Sequence, residues 1–283
     1  MPLPNKMSPL AWRQPLTFTA AQANSSVRLN VNGSLTLAGI QYKVGRGIWL
    51  PYTIGTQIIL TNVGDYVQFQ NTQSTLSASD SNYARFVLAG GIYASGSIQS
   101  LLNYSNSCPD WCFYTLFMFC HALLTCPAMP AASLGLCCYR DMYAFCYGLT
   151  TMPSLSAKTL APNCYQSMFR NTPNLVNVTD LPAVTVTSNC YSNMFAGSGI
   201  TRSPKIYAAT LESNSCYHMF YGCGALNSIE VAFRVWDTHF NLDSFTKDWV
   251  AGVASSGTFV KPLSLPEEFG TSRIPENWTV INQ

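Results

Sequence analysis

Charge is what this chain has least of. Only 10% of its 283 residues are Asp, Glu, Lys or Arg, against about 25% in ordinary soluble domains. The net charge is +2 and no Lys/Arg cluster occurs, so the electrostatic footprint of a nucleic-acid binder is missing. Solubility then rests on Ser, Thr, Asn and Gln, a surface that suits work outside the cytosol or inside an assembly. Catalytic signatures are missing too. The chain has no CxxC pair, no GxSxG, no GxxxxGK[ST] and no HExxH, which removes the usual zinc, nucleophile-elbow and phosphate-loop readings. His121, His218 and His239 share no spacing, and Asp110, Asp141, Asp180, Glu212 and Glu230 fall at differing offsets. Nothing here asks for a metal site or a paired acid and base. The expectation is a protein that is not an enzyme and takes no cofactor.

Residues 1–15 contain neither the apolar core nor the small-residue cleavage site of a secretory signal. The chain is therefore expected either to have been trimmed or to leave its cell by lysis or assembly. Residues 113–139 carry no Asp, Glu, Lys or Arg, but Pro127 and Pro130 interrupt them. Burial in a core explains that run better than membrane insertion. The hydrophobic share of 48% excludes a mainly disordered chain.

What is present is a repeat. Cys112, Cys138, Cys164 and Cys190 stand 26 residues apart and open the phrases CFYTLF, CYRDMY, CYQSMF and CYSNMF; SCYHMF follows at Ser215, one residue early. Three residues beyond the closing aromatics Phe117, Tyr143, Phe169, Phe195 and Phe220 come small residues: Cys120, Cys146, Thr172, Ser198 and Cys223. A fixed period of this length signals units that stack on their neighbours. In CY-x-x-MF the apolar residues fall at i, i+1, i+4 and i+5, which reads as one stripe of a helix. The stretches LTTMPSL and LVNVTDLP read as extended. One short helix and one short strand per unit is a leucine-rich-repeat architecture.

Before the repeats, LTFTA, SVRLNVNG, TLAGIQYKV, YTIGTQIILTNV and DYVQFQ are strand-like and separated by turn residues. The fold expected is thus α+β: an N-terminal extension (1–15), a small β-sandwich (16–83), then a cap with about five leucine-rich repeats forming a short solenoid (84–230). A C-terminal cap of two helices and short strands (231–283) closes it, with AFRVWDTHF and FTKDWVAGV as the helices.

The pieces CYQSMF, CYHMFYGCGAL, LPAVTV and SLSAKTLAPN resemble the BspA-like leucine-rich repeats of gut Bacteroidetes, their phages and some mucosal protists. The opening PLTFTAAQANSSVRLNVNG and the ending GTFVKPLSLPEEFGTSRIPENWTV are similar to segments flanking such arrays. The resemblance covers roughly residues 15–283 and implies extracellular or virion-surface binding without enzymatic activity. It carries over no ligand-binding residue. The chain departs from the pattern where the third and fourth repeats lose the second cysteine.

The periodic cysteines Cys112, Cys138, Cys164 and Cys190, and Cys120, Cys146 and Cys223, read as buried free thiols, since Ser215, Thr172 and Ser198 replace them in the same columns. Any disulfide falls to the nonperiodic Cys108, Cys126, Cys137 and Cys216. The rings Phe113, Tyr139, Tyr165 and Tyr191, with Phe117, Tyr143, Phe169, Phe195 and Phe220, read as repeat core rather than a sugar-stacking stripe. A binding surface is then sought at positions that vary between repeats: Arg140, Gln166, Asn193 and His218, with Arg170, Asn171, Arg202 and Lys205.

The function expected is a phage virion surface protein, a fibre, tail or capsid-surface component. Its N-terminal region would contact other virion proteins, and its repeats a bacterial surface protein or glycan. The alternatives are a secreted or surface-anchored bacterial adhesin, and a structural virion protein whose repeats only mediate assembly. No nucleic acid and no membrane insertion are implied. The oligomeric state is left open, with no heptad segment to argue a trimer.

Overall fold

The computed structural model of the protein describes residues 13–236 and 244–283. Eight strands fall in the first hundred residues: β1 (Leu16–Ala20), β2 (Ser25–Val31), β3 (Ile40–Val44), β4 (Leu50–Pro51), β5 (Ile58–Leu60), β6 (Tyr66–Asn71), β7 (Ala84–Ala89) and β8 (Ile92–Ser95). In β1 the side chains of LTFTA alternate buried and half-buried, as a strand with one face on a core must. With β10 (Leu123–Thr125), they form a six-stranded sheet in the order β10–β8–β1–β6–β3–β4 and a three-stranded sheet β5–β2–β7. Phe18 of the larger sheet meets Phe86 of the smaller edge-on at 4.8 Å, and Phe69 meets Phe86 at 5.3 Å. That aromatic cluster fills the space between the sheets. β7 and β8 lie in the stretch read from sequence as a cap and are strands of this sandwich.

The remaining strands are short. β9 (Ser107–Cys108) pairs with β11 (Ser133–Leu134), and β12 (Ser228–Glu230), β13 (Thr258–Lys261) and β14 (Thr279–Asn282) form a parallel sheet. Between them run isolated parallel bridges such as Thr151 to Asn177 and Leu181 to Ile206. Among the described residues there is no α-helix, and the one helical element of length is a 3-10 turn at Ile98–Leu102. None is long and apolar enough to cross a membrane.

The expected α+β leucine-rich-repeat solenoid is therefore overturned. Over the described residues the protein is nearly all β in several small sheets, and no helix-and-strand unit forms among them. The CY-x-x-MF phrases are chains of turns. Every fourth residue takes positive φ: Trp111, Thr115 and Phe119; Cys137, Asp141 and Phe145; Asn163, Ser167 and Asn171; Asn189, Asn193 and Gly197; Asn214, His218 and Gly222. A left-handed residue ends a right-handed helix at once. The hydrogen bonds show the same thing. Cys112, Tyr114, Leu116, Met118 and Cys120 donate N–H groups three residues back. The alternate residues Trp111, Phe113, Thr115, Phe117 and Phe119 donate to Leu136, Cys138, Arg140, Met142 and Ala144 of the following unit. Half the donors leave the segment, so no i to i−4 ladder can exist. An apolar period of four mimicked the 3.6 of a helix over so short a phrase.

The expected C-terminal helix FTKDWVAGV is also replaced by turns, with Asp248 and Gly252 at positive φ. AFRVWDTHF is not helical over residues 232–236, and its end lies outside the described residues. Residues 245–251 form another layer of the same kind, accepting N–H groups from Cys216, His218, Phe220 and Gly222.

Registered columns result. Phe117, Tyr143, Phe169, Phe195 and Phe220 stack with ring centroids 5.4–5.9 Å apart. Phe113, Tyr139, Tyr165 and Tyr191 form a second column. Each stacked pair contributes about 0.5–1.5 kcal/mol beyond the burial of its area.

Candidate functional site

The turn segments present a face whose side chains are set by the left-handed positions. Asn189, Asn193 and Asn214 have φ of 57°, 54° and 52°, and Asn tolerates this region better than most residues because its short amide bonds locally. The layers are locked laterally. Ser167 N–H donates to Ser192 O and Asn193 N–H to Tyr217 O, both at 2.8 Å; His218 N–H donates to Lys247 O at 3.0 Å.

This stacking opens a groove of about 280 Å³ across four layers, lined by Gln166, Asn189, Ser192, Asn193, Asn214, Tyr217 and Lys247. Its walls are amides and hydroxyls with one ammonium, so it offers hydrogen-bond donors and acceptors together. Asn193 Nδ2 donates to Ser192 Oγ at 3.1 Å and Asn214 Nδ2 to Ser213 Oγ at 3.4 Å. The Gln166 Oε1 and Asn214 Oδ1 atoms are buried and accept no hydrogen bond, an arrangement costing about 1–3 kcal/mol for each acceptor left unmade. At one end His218 stacks on Tyr217 at 3.9 Å and sits 3.9 Å from Asp248. Burial holds its imidazole below the ordinary histidine value, partly offset by Asp248.

Of the eight surface residues read from sequence, the structure brings Gln166 and Asn193 into this groove, with His218 beside it. Arg140 and Arg170 are elsewhere on the turns. Arg140 lies 3.4 Å from Asp141 without hydrogen-bond geometry and 5.9 Å from the Tyr114 ring. Arg170 covers Phe145 at 5.2 Å. Burial raises the Asp141 carboxyl above the usual range, opposed by these two guanidinium groups. Asn171 holds a left-handed position one layer below Gly197, where an added Cβ would fall 2.4 Å from Asn171 Oδ1. Arg202 and Lys205 are on the bridge-bearing segments and pair with Asp180 at 4.0 Å and Glu230 at 2.7 Å. The sequence reading missed Asn189, Ser192, Asn214, Tyr217 and Lys247. For Asn189 and Asn214 the signal was an Asn directly before the column residue, in Asn189–Cys190 and Asn214–Ser215; no such signal marks Ser192, Tyr217 or Lys247.

The core columns are closed to chemistry from outside. Cys112, Cys138, Cys164 and Cys190 are fully buried, and all eleven cysteines are free thiols. The second cysteine column also makes hydrogen bonds. Cys120, Cys146 and Cys223 donate Sγ–H to the carbonyls of Phe86, Phe117 and Phe195 at 3.0–3.2 Å. Thr172 Oγ1 donates to Phe169 O at 2.7 Å, which explains why hydroxyl residues substitute there. Burial pushes Cys120 and Cys190 up to about 12. Cys108 differs. Burial raises it, but hydrogen bonds with Cys112, Cys138, Tyr139 and Gln99 together outweigh this and hold it well below the ordinary thiol value. Among the described residues, no three His, Cys, Asp or Glu side chains are grouped to hold a metal ion. No family model, curated protein or solved structure matches the chain.

Proposed function

We propose that this protein is a non-enzymatic surface component of a phage particle and that the amide-lined groove is its attachment site for a host glycan. The observation that carries the reading is the groove itself, seven polar side chains from four registered layers converging on one concavity. Backbone bonds between layers fix the positions from which these side chains project before any ligand arrives, which lowers the ordering cost of binding. Mixed donors and acceptors beside the Tyr217 ring suit a hydroxyl-rich ligand that also has an apolar face. A sugar hydroxyl donating to either unpartnered amide, once that amide turns outward, would supply the missing bond. The low charge and the resemblance of the repeats to surface-binding proteins support the same reading.

Two measurements test it. Mass spectrometry of virions purified from a lysed culture expressing the protein is expected to find it at stoichiometric level. Its absence there, with protein on the cell surface instead, would make it a bacterial adhesin. Particles carrying Gln166→Ala with Asn193→Ala are expected to adsorb to host cells at least tenfold more slowly at unchanged particle yield. Unchanged adsorption would move attachment off the groove.

A further inference from the structure

Lys261 is a buried lysine. Its side chain is 2% exposed, in β13, within the terminal parallel sheet. Buried ammonium groups are rare because their desolvation is costly, and the groove makes no use of this one. Its Nζ donates to Leu265 O at 2.6 Å and lies 3.8 Å from Glu267 Oε1. The same carboxylate oxygen accepts from Asn282 Nδ2 at 3.4 Å. An amine and a carboxamide thus meet at one carboxylate oxygen.

The backbone holds them there. Lys261 and Asn282 are register partners in the parallel pair β13–β14, two residues on from the pair Phe259 and Val280, which faces the core. With a side-chain period of two, both pairs project to the same face. Gln283 N–H donates to Lys261 O at 3.0 Å and Leu263 N–H to Gln283 O at 3.3 Å, so the residue after Asn282 is tied to the β13 chain through both its N–H and its carbonyl. Such fixing replaces a bimolecular encounter with an intramolecular one.

We propose that Lys261 and Asn282 join in a self-made isopeptide bond, with Glu267 as the proton relay. Glu267 accepts a proton from the Lys261 ammonium, and the freed Nζ lone pair attacks Cγ of Asn282. As the new C–N bond forms, the proton that Nζ sheds passes to Nδ2 through the carboxyl, the Cγ–Nδ2 bond breaks, and ammonia leaves. The proton first taken by Glu267 goes to solvent. Nothing is oxidised or reduced, and no co-reactant is needed. The product ties β14 covalently to β13 and closes the terminal parallel sheet against fraying, which suits a protein exposed outside a cell.

The test is intact mass of the folded protein followed by tryptic mapping. The expected mass is lower than the sequence mass by about 17 Da, the ammonia lost when amine replaces amide nitrogen. Tryptic peptides 248–273 and 274–283 should appear joined. Lys261→Arg is expected to retain its full mass, and Glu267→Gln to lose the cross-link or form it at least tenfold more slowly. Full mass in the wild-type protein after prolonged incubation overturns the proposal. So does an ammonia loss mapped to a succinimide at Asn32–Gly33. Cross-linking at an unchanged rate in Glu267→Gln removes the carboxyl from the mechanism.

Discussion

Phe86 of the sandwich and Phe117 of the first repeat lie face to face, 5.6 Å between ring centroids and 12° between planes. Phe86 also meets Phe18 and Phe69 within the sandwich, and Phe117 meets Tyr143 in the column. Phe117, which also meets Phe18 edge-on at 6.1 Å, therefore joins the core between the two sheets to the core of the stacked turns. β8 and β10 join them a second time, through Ile92 beside Leu123.

A shared core predicts shared unfolding. Phe117→Ala is expected to cost about 3–5 kcal/mol and to shift the denaturation midpoint equally by far-ultraviolet circular dichroism and by tryptophan fluorescence. Two separated transitions in the wild-type protein would show that sandwich and stack fold independently.

The left-handed positions distinguish turns from helix by the order of two substitutions. At Asn163, with φ of 58°, Asn163→Gly should be within about 0.5 kcal/mol of wild type, because glycine takes positive φ freely. Asn163→Val should cost about 1–2 kcal/mol or more through its Cβ clash. In a helix interior glycine would be the worse of the two. Urea midpoints of both variants decide it.

His218 ties stability to pH. Its folded value is lowered by burial, so between that value and the unfolded one, about 6.5, the unfolded chain binds more protons. Stability is then full above about pH 6.5 and falls as pH drops through the folded value. Urea midpoints measured from pH 8 to pH 5 should decline less in His218→Gln than in wild type. An equal decline would assign the slope to other groups.

Burial predicts silent thiols. Cys120, Cys146 and Cys223 are enclosed and hydrogen-bonded to carbonyls, and burial raises all three. Iodoacetamide at pH 8 should leave them unlabelled for hours in the native protein, while all eleven cysteines react in denaturant. Rapid native labelling of Cys120 would mean that the first unit opens locally.

The period was legible because stacking demands that equivalent positions match. Cys112, Cys138, Cys164 and Cys190 share a column with Ser215, and only small residues fit it. The strand pattern of LTFTA was legible because one of its faces is buried. The layer at residues 245–251 was not, since Trp249 takes the place in the ring column held elsewhere by Phe or Tyr and no repeated phrase marks it.

The groove was half visible. Gln166 and Asn193 stood out as residues that vary, but nothing local tied them to Lys247, which the following layer supplies. By itself the sequence determined the spacing of the units, the ring and thiol columns, and the near absence of charge. Tertiary structure alone decided that CY-x-x-MF becomes turns. An isolated segment would satisfy its N–H groups within itself, and only a neighbouring layer, offering Cys138 O to Phe113 and Met142 O to Phe117, makes left-handed residues every fourth position the better solution.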